Sequence, residues 1–409
     1  MPLAPLSMAS QSSVLPVPVI QTIYHGRTSC GEEVFRYNLS LSDKSCELSF
    51  ISYGACLTSC KLPDREGRVE ECTLNYGNLQ DIEAGEAYYG ALCGRVCNRI
   101  ARGKFEVDGV VHQVPVNNGP NSLHGGQKGF DKRVFGHREV REEEALLCIN
   151  DCSSAASARG VCFSYESHDG EEGYPGTVNV EVSYLLTSER ELVTKFAATV
   201  DGRATPINLT NHAYWNLSGE LKETVASHHL HLSSSGYLPI DNDQIPTGEI
   251  KDVKGTLFDL RAVDGVKLED VLNEVGGEGG GKLGFDHCMV IDRVDDDHEG
   301  ELMPLVGRLW HEKSGRIMTL HATQPGVQLY TANWLGGEHP HIPHNAVCLE
   351  TQQFPNAINS KDPSIRASVL IQPGQTYSHT AKHTFGITAE QQLARRDQVP
   401  VPERPAPIK

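Results

Sequence analysis

Apolar and polar residues alternate along much of the chain. Val178, Val180, Val182 and Tyr184 are interleaved with Asn179, Glu181 and Ser183, the two-residue period of a strand with one buried face. Leu48 and Phe50, Ile317 to Leu320, and Val327 to Tyr330 carry shorter strand signals. Lys104 to Val107 and Val110 to Val114 flank Asp108-Gly109, a dipeptide that tolerates positive φ and so predicts a tight hairpin. Helical periodicity is thin; only Val266 to Val275 fits a short amphipathic helix. Many short strands between glycine and proline turns predict an all-β fold: antiparallel sheets packed face to face as a large sandwich, with few short helices.

No internal repeat and no Pro/Ser-rich linker divides the middle, so one domain is expected over residues 21–388. A flexible leader, 1–20, should precede it. A disordered tail, 389–409, carrying Pro400, Pro402, Pro405 and Pro407, should follow. Gly276 to Gly281 and the acidic run Asp295-Asp296-Asp297-His298-Glu299 read as loop insertions, and Glu142 to Ala158 and Asp264 to Gly284 as long loops.

Composition narrows the function. With 39% hydrophobic and 22% charged residues, the chain can build a sizeable core. A net charge of −17 disfavours nucleic-acid partners, whose phosphates need Lys and Arg, and disfavours anionic membranes. No stretch reaches the roughly 18 apolar residues of a membrane span. The first twenty residues hold no Lys or Arg and are broken by Pro2, Pro5, Pro16 and Pro18, unlike a secretory signal. The 12 cysteines are therefore expected to be reduced, in a cytoplasmic protein.

Four segments concentrate polar, ionisable and aromatic residues: Asn98-Arg99-Ile100-Ala101, Asn121-Ser122-Leu123-His124-Gly125-Gly126, Thr210 to Asn216, and Cys348-Leu349-Glu350-Thr351-Gln352. Phe285-Asp286-His287 and Pro325 to Tyr330 join them. Each has an ordinary structural explanation. His212 could be a hydrogen-bonded core histidine and Glu350 half of a salt bridge. Arg99 and Asp286 could be ion-pair partners, and His124 a turn residue beside Gly125-Gly126.

Taken in order, the six motifs resemble the aldose 1-epimerase (galactose mutarotase) family, over about Gly26 to Phe385 and including the looser Asp169 to Gly176 segment. That resemblance implies a large antiparallel β-sandwich and interconversion of the α and β anomers of a free aldose, without a cofactor. It implies His212, of Thr-Asn-His, as general acid and Glu350, of Leu-Glu-Thr-Gln, as general base. It implies Asn98, Arg99, His124, Asp286 and Gln328 as sugar-binding residues, with Tyr214 lining the pocket. Trp215 and Phe354 stand at aromatic positions that vary in such sequences, so the preferred sugar stays open.

The chemistry suits these residue types. A base removes the C1 hydroxyl proton while an acid protonates the ring oxygen, and the opened aldehyde recloses on its other face. No electrons leave the sugar, so no nicotinamide or metal is needed. Glutamate can start ionised; histidine, near 6.5, needs a rise to start protonated, which Asp286 is expected to supply. His228-His229-Leu230-His231 and His339, His341 and His344 lack the companions of a metal site. The 295–301 run lacks the ligand pattern of a calcium loop. Sequons stand at Asn38, Asn208 and Asn216, and the last two, which bracket the proposed acid, are expected to be unused. An epimerase of hexose phosphates, drawing on Arg95, Arg99 and Arg102, and a sugar sensor without catalysis are the competing readings. The expected partner is a small aldose, bound by a monomer.

Overall fold

The computed structural model describes residues 15–277, 281–293, 303–337 and 340–388. Residues 1–14, the whole expected tail 389–409, Glu278 to Gly280 of the glycine-rich run, the acidic run at 295–299 and His339 lie outside them. Three antiparallel sheets account for most of the regular structure. An N-terminal sheet runs in sequence order through Pro18–Arg27, Glu33–Leu41, Glu47–Ile51, Cys56–Pro63 and Val69–Glu71. A nine-stranded sheet is centred on Thr177–Thr187, Glu191–Asp201, Thr376–Ile387 and Arg316–Ala322. A second five-stranded sheet, which carries much of the site, orders Lys251–Asp252, Gly236–Tyr237, Asp286–Val290, Gly326–Tyr330 and Cys348–Gln352.

One continuous core joins them. Leu39, Leu48 and Phe50 of the N-terminal sheet, Val180, Val182 and Tyr184 of the nine-stranded sheet, and Met289, Val327 and Leu329 of the site sheet all belong to it. Phe50 stacks on Tyr184 at 4.3 Å, and the Tyr184 hydroxyl donates to the Ala55 carbonyl at 2.9 Å. Such a pair adds about 0.5–1.5 kcal/mol beyond the area it buries. The predicted alternation therefore translates directly into face-to-face packing. The Asp108-Gly109 hairpin forms as expected, with φ of 52° and 77° at the two turn residues.

Three expectations need correction. Val266 to Val275 is not one helix: Val266–Lys267 pairs with His229 and Leu230 at the sheet edge, and a single 3₁₀ turn, Leu268–Asp270, follows. Leu268, Val271, Leu272 and Val275 are nonetheless all buried, so the apolar period was real but served a string of turns. Glu142–Ile149, read as loop, is a helix whose first turn carries Glu142, Glu143 and Glu144, acidic residues that favour a helix N-terminus. The strand Pro18–Arg27 begins inside the expected leader; proline at the first position of an edge strand removes no ladder bond.

Candidate active site

Short ladders bring the motifs together. Arg99–Ile100 pairs with Ser122–Leu123, which sets Asn98 and His124 side by side: the His124 amide donates to the Asn98 carbonyl and the Asn98 amide to His124 Nδ1, both at 3.2 Å. Both residues adopt left-handed backbone, with φ of 58° and 50°. Thr210–Asn211 pairs with Leu92–Cys93, and the His212 amide donates to the Ala91 carbonyl at 2.9 Å. In the site sheet, Gln328 stands directly opposite Glu350, and Asp286 opposite Tyr330. Alternation along these strands puts Asp286, Gln328, Tyr330 and Glu350 on one face.

All eight sequence-predicted residues line a single cavity of about 380 Å³, within the usual range for small-molecule sites. At its floor, His212 Nε2 lies 3.5 Å from Glu350 Oε1, both side chains almost fully buried. Gln328 Nε2 donates to Asp286 Oδ1 at 2.8 Å. Arg99 Nε donates to Asn118 Oδ1 at 3.1 Å and its Nη2 to Gln244 Oε1, while Asp286 Oδ2 stands 4.0 Å from Nη2. Glu350 Oε2 and Gln328 Oε1 are buried without a hydrogen-bond partner, which leaves two acceptors free for a polyhydroxylated ligand. The Tyr214 ring lies nearly parallel to His212 at 4.8 Å, and Tyr88 does so at 6.0 Å.

Electrostatics differ from the sequence expectation. Burial pulls His212 down to about 3, opposed only by its own backbone, and Asp286 does not raise it. Instead Asp286 acts on Glu350: burial first, then the Asp286 charge, push that carboxyl well above the usual range, against the pull of Arg99. A buried charge is costly, so burial favours the neutral form of both partners. His124 is also held well below its ordinary value by burial and by His212 and Arg99.

Among the described residues, one group of side chains gathers like metal ligands: His124, His212 and Glu350, with candidate donor atoms within 4.8 Å of one another. The tautomer of His124 argues against coordination. Its Nδ1 accepts the Asn98 amide proton, so Nε2 of the neutral ring carries hydrogen and has no lone pair for a metal. The ring is instead a hydrogen-bond donor in the cavity lining.

Other parts of the cavity left little trace in the sequence. Tyr88, with φ of 57°, Asn118, Gln244, with φ of 61°, and Trp334 all line it. Asn118 sits in the Asn-Asn-Gly-Pro turn just before a quoted motif, a signal that could have found it; Tyr88 and Gln244 carried none. Trp215 faces the core rather than the cavity, against His383 and Phe385. Arg95 is committed elsewhere, donating to the carbonyls of Ser167, Pro175 and Gly176 in a buried nest. The sequon residues Asn208 and Asn216 are buried.

Comparison with known proteins agrees with this geometry. The chain is 38% identical to galactose mutarotase of Homo sapiens over 349 residues, covering 83% of this chain and 91% of that one. It is 36% identical to galactose mutarotase of Sus scrofa over 377 residues, covering 91% and 99%. A solved aldose epimerase homologue from C. elegans superposes with a TM-score of 0.70 at 26% identity, covering 91% of this chain and all of that one. The model of the aldose 1-epimerase family matches residues 37–384, and the chain belongs to that family.

Proposed function

We propose that the protein interconverts the α and β anomers of free aldohexoses such as glucose and galactose, with Glu350 as general base and His212 as general acid. The observation that carries this is the 3.5 Å approach of His212 Nε2 to Glu350 Oε1 at the floor of a cavity sized for a small ligand. The anomeric hydroxyl and the ring oxygen share one carbon. Two groups this close can each reach one of them.

The proton inventory supports these roles. Burial penalises both charges, raising the Glu350 carboxyl and lowering His212, which draws the one proton the pair shares toward the carboxyl. Catalysis needs the same proton on the imidazole, 3.5 Å away. A sugar whose hydroxyls donate to the carboxylate, beside Arg99, stabilises that charged form. Glu350 then takes the C1 hydroxyl proton as His212 protonates the ring oxygen. The ring opens, C1 rotates and presents its other face, and the same two protons return. Asn98, Arg99, His124, Asp286 and Gln328 hold hydroxyls, and Tyr214 supports the His212 ring. Each acid–base group is worth about 10²–10⁴-fold when well placed.

A phosphorylated substrate fits poorly. Among the described residues, Arg99 is the one Arg or Lys on the cavity wall, where Glu86, Asp243, Asp286 and Glu350 supply acid, and Arg95 is buried elsewhere. A sensor without catalysis has no use for a buried Glu–His pair. Work in the cytosol as a monomer is part of the proposal; the 12 cysteines, all unpaired, support a reducing compartment, and no helix of the described residues is long and apolar enough to cross a membrane. Polarimetry on freshly dissolved α-glucose or α-galactose tests the assignment. Equilibration should accelerate with the free sugars and stay at the spontaneous rate with the hexose 6-phosphate. Acceleration with the phosphate alone would reverse the choice of substrate.

A further inference from the structure

The segments that carry Glu350 and His212 run past each other and are tied at two places. At one end Trp215 and Val347 exchange backbone hydrogen bonds at 2.9 Å. At the other, the Asn208 side chain accepts from the Gln353 amide at 3.0 Å and donates to its carbonyl at 3.2 Å. Glu350 and His212 lie in the stretch between. There a side chain from a different sheet joins the two segments. His379, on the strand Thr376–Ile387 of the nine-stranded sheet, places Nδ1 3.2 Å from the Leu209 carbonyl and Nε2 2.9 Å from Thr351 Oγ.

Its tautomer follows from its partners. A carbonyl can only accept, so Nδ1 carries the hydrogen and Nε2 accepts from the Thr351 hydroxyl. Burial keeps the ring uncharged, pulling it down to about 3. Tyr377, two residues earlier and therefore on the same face of the strand, accepts the Leu209 amide at 3.1 Å. Both backbone groups of Leu209, three residues before His212, are thus held by one strand. Thr351 points away from the cavity because it follows Glu350 in a strand, and its hydroxyl anchors the base from behind.

We propose that His379 is a positioning residue for the acid–base pair, its two ring nitrogens stapling the segment that leads to His212 to the residue that follows Glu350. This rests on the assignment of Glu350 and His212 as the reacting pair. The staple sits opposite the cavity and touches no sugar, so it acts on turnover by fixing the distance between two proton-transfer groups. Small displacements of such groups are costly, since misplacement by about 1 Å can cost about 10²-fold in rate.

The test compares His379→Phe, His379→Gln, Thr351→Val and the double variant His379→Phe/Thr351→Val by polarimetric kcat and KM. Phenylalanine keeps the ring that stacks on Phe196 at 4.6 Å but loses both hydrogen bonds. His379→Phe should lower kcat roughly ten- to a hundredfold with little change in KM. Glutamine, with one donor and one acceptor, should restore most of the loss. Thr351→Val, the mildest change and the least able to unfold the chain, should lower kcat as well, and the double variant no further than the worse single one. Wild-type kcat in His379→Phe, or losses that multiply in the double variant, would overturn the proposal. Glu350→Gln measured alongside separates the two levels. Near-normal turnover there sinks the pair itself, whereas an inactive Glu350→Gln beside a fully active His379→Phe sinks only the staple.

Discussion

Glu350 and His212 form a pair in which burial acts on both partners at once, and Asp286 tilts the balance from the carboxylate side. Loss of the Asp286 charge should therefore be felt at Glu350, not at His212. In Asp286→Asn, removal of the like charge lowers the Glu350 pKa. The pair then loses its one proton at lower pH, and the alkaline limb of the kcat/KM profile moves down the pH scale. An alkaline limb that stays in place, or moves up, would show that Asp286 does not act on Glu350. At this scale the sequence was informative for residues whose chemistry is visible in their type and motif: His212, Glu350, Arg99, Asp286. It was silent on Tyr88 and Gln244, whose places depend on left-handed backbone in loops and on the folded neighbours that meet them.

Elements matter here mainly as short ladders and tight turns that aim single side chains. The Gly125-Gly126 pair after His124 shows why glycine is needed. Gly125 has φ of +97°, and a Cβ there would stand 2.0 Å from the Gly94 carbonyl oxygen. Gly125→Ala should destabilise the fold by about 1–3 kcal/mol and, by moving His124, raise KM for the sugar. Denaturant melts and steady-state kinetics check both; unchanged stability with unchanged KM would mean the turn relaxes freely. The hairpin at Asp108-Gly109 was legible for the same reason, because local turn chemistry decides it. The stretch 266–275 was not: its buried positions repeat as a helix would, but pairing of Val266 with Leu230 at the sheet edge took precedence over local periodicity.

For the molecule as a whole, strand alternation was enough to announce antiparallel sheets packed on a shared core, since a period of two leaves each strand one apolar face to bury. Which strands neighbour which was beyond it. The site draws on the β-ladders at 92–93, 99–100, 122–123 and 210–211 and on three strands of a separate sheet, and sheet order is decided by long-range packing rather than by any local pattern. The central claim is that these distant segments converge to make one acid–base pair. Polarimetric mutarotation of fresh α-galactose by Glu350→Gln and His212→Asn, with folding verified by circular dichroism, tests it most directly. Each folded variant should lose about 10²-fold or more in kcat; near-normal turnover by either would contradict it.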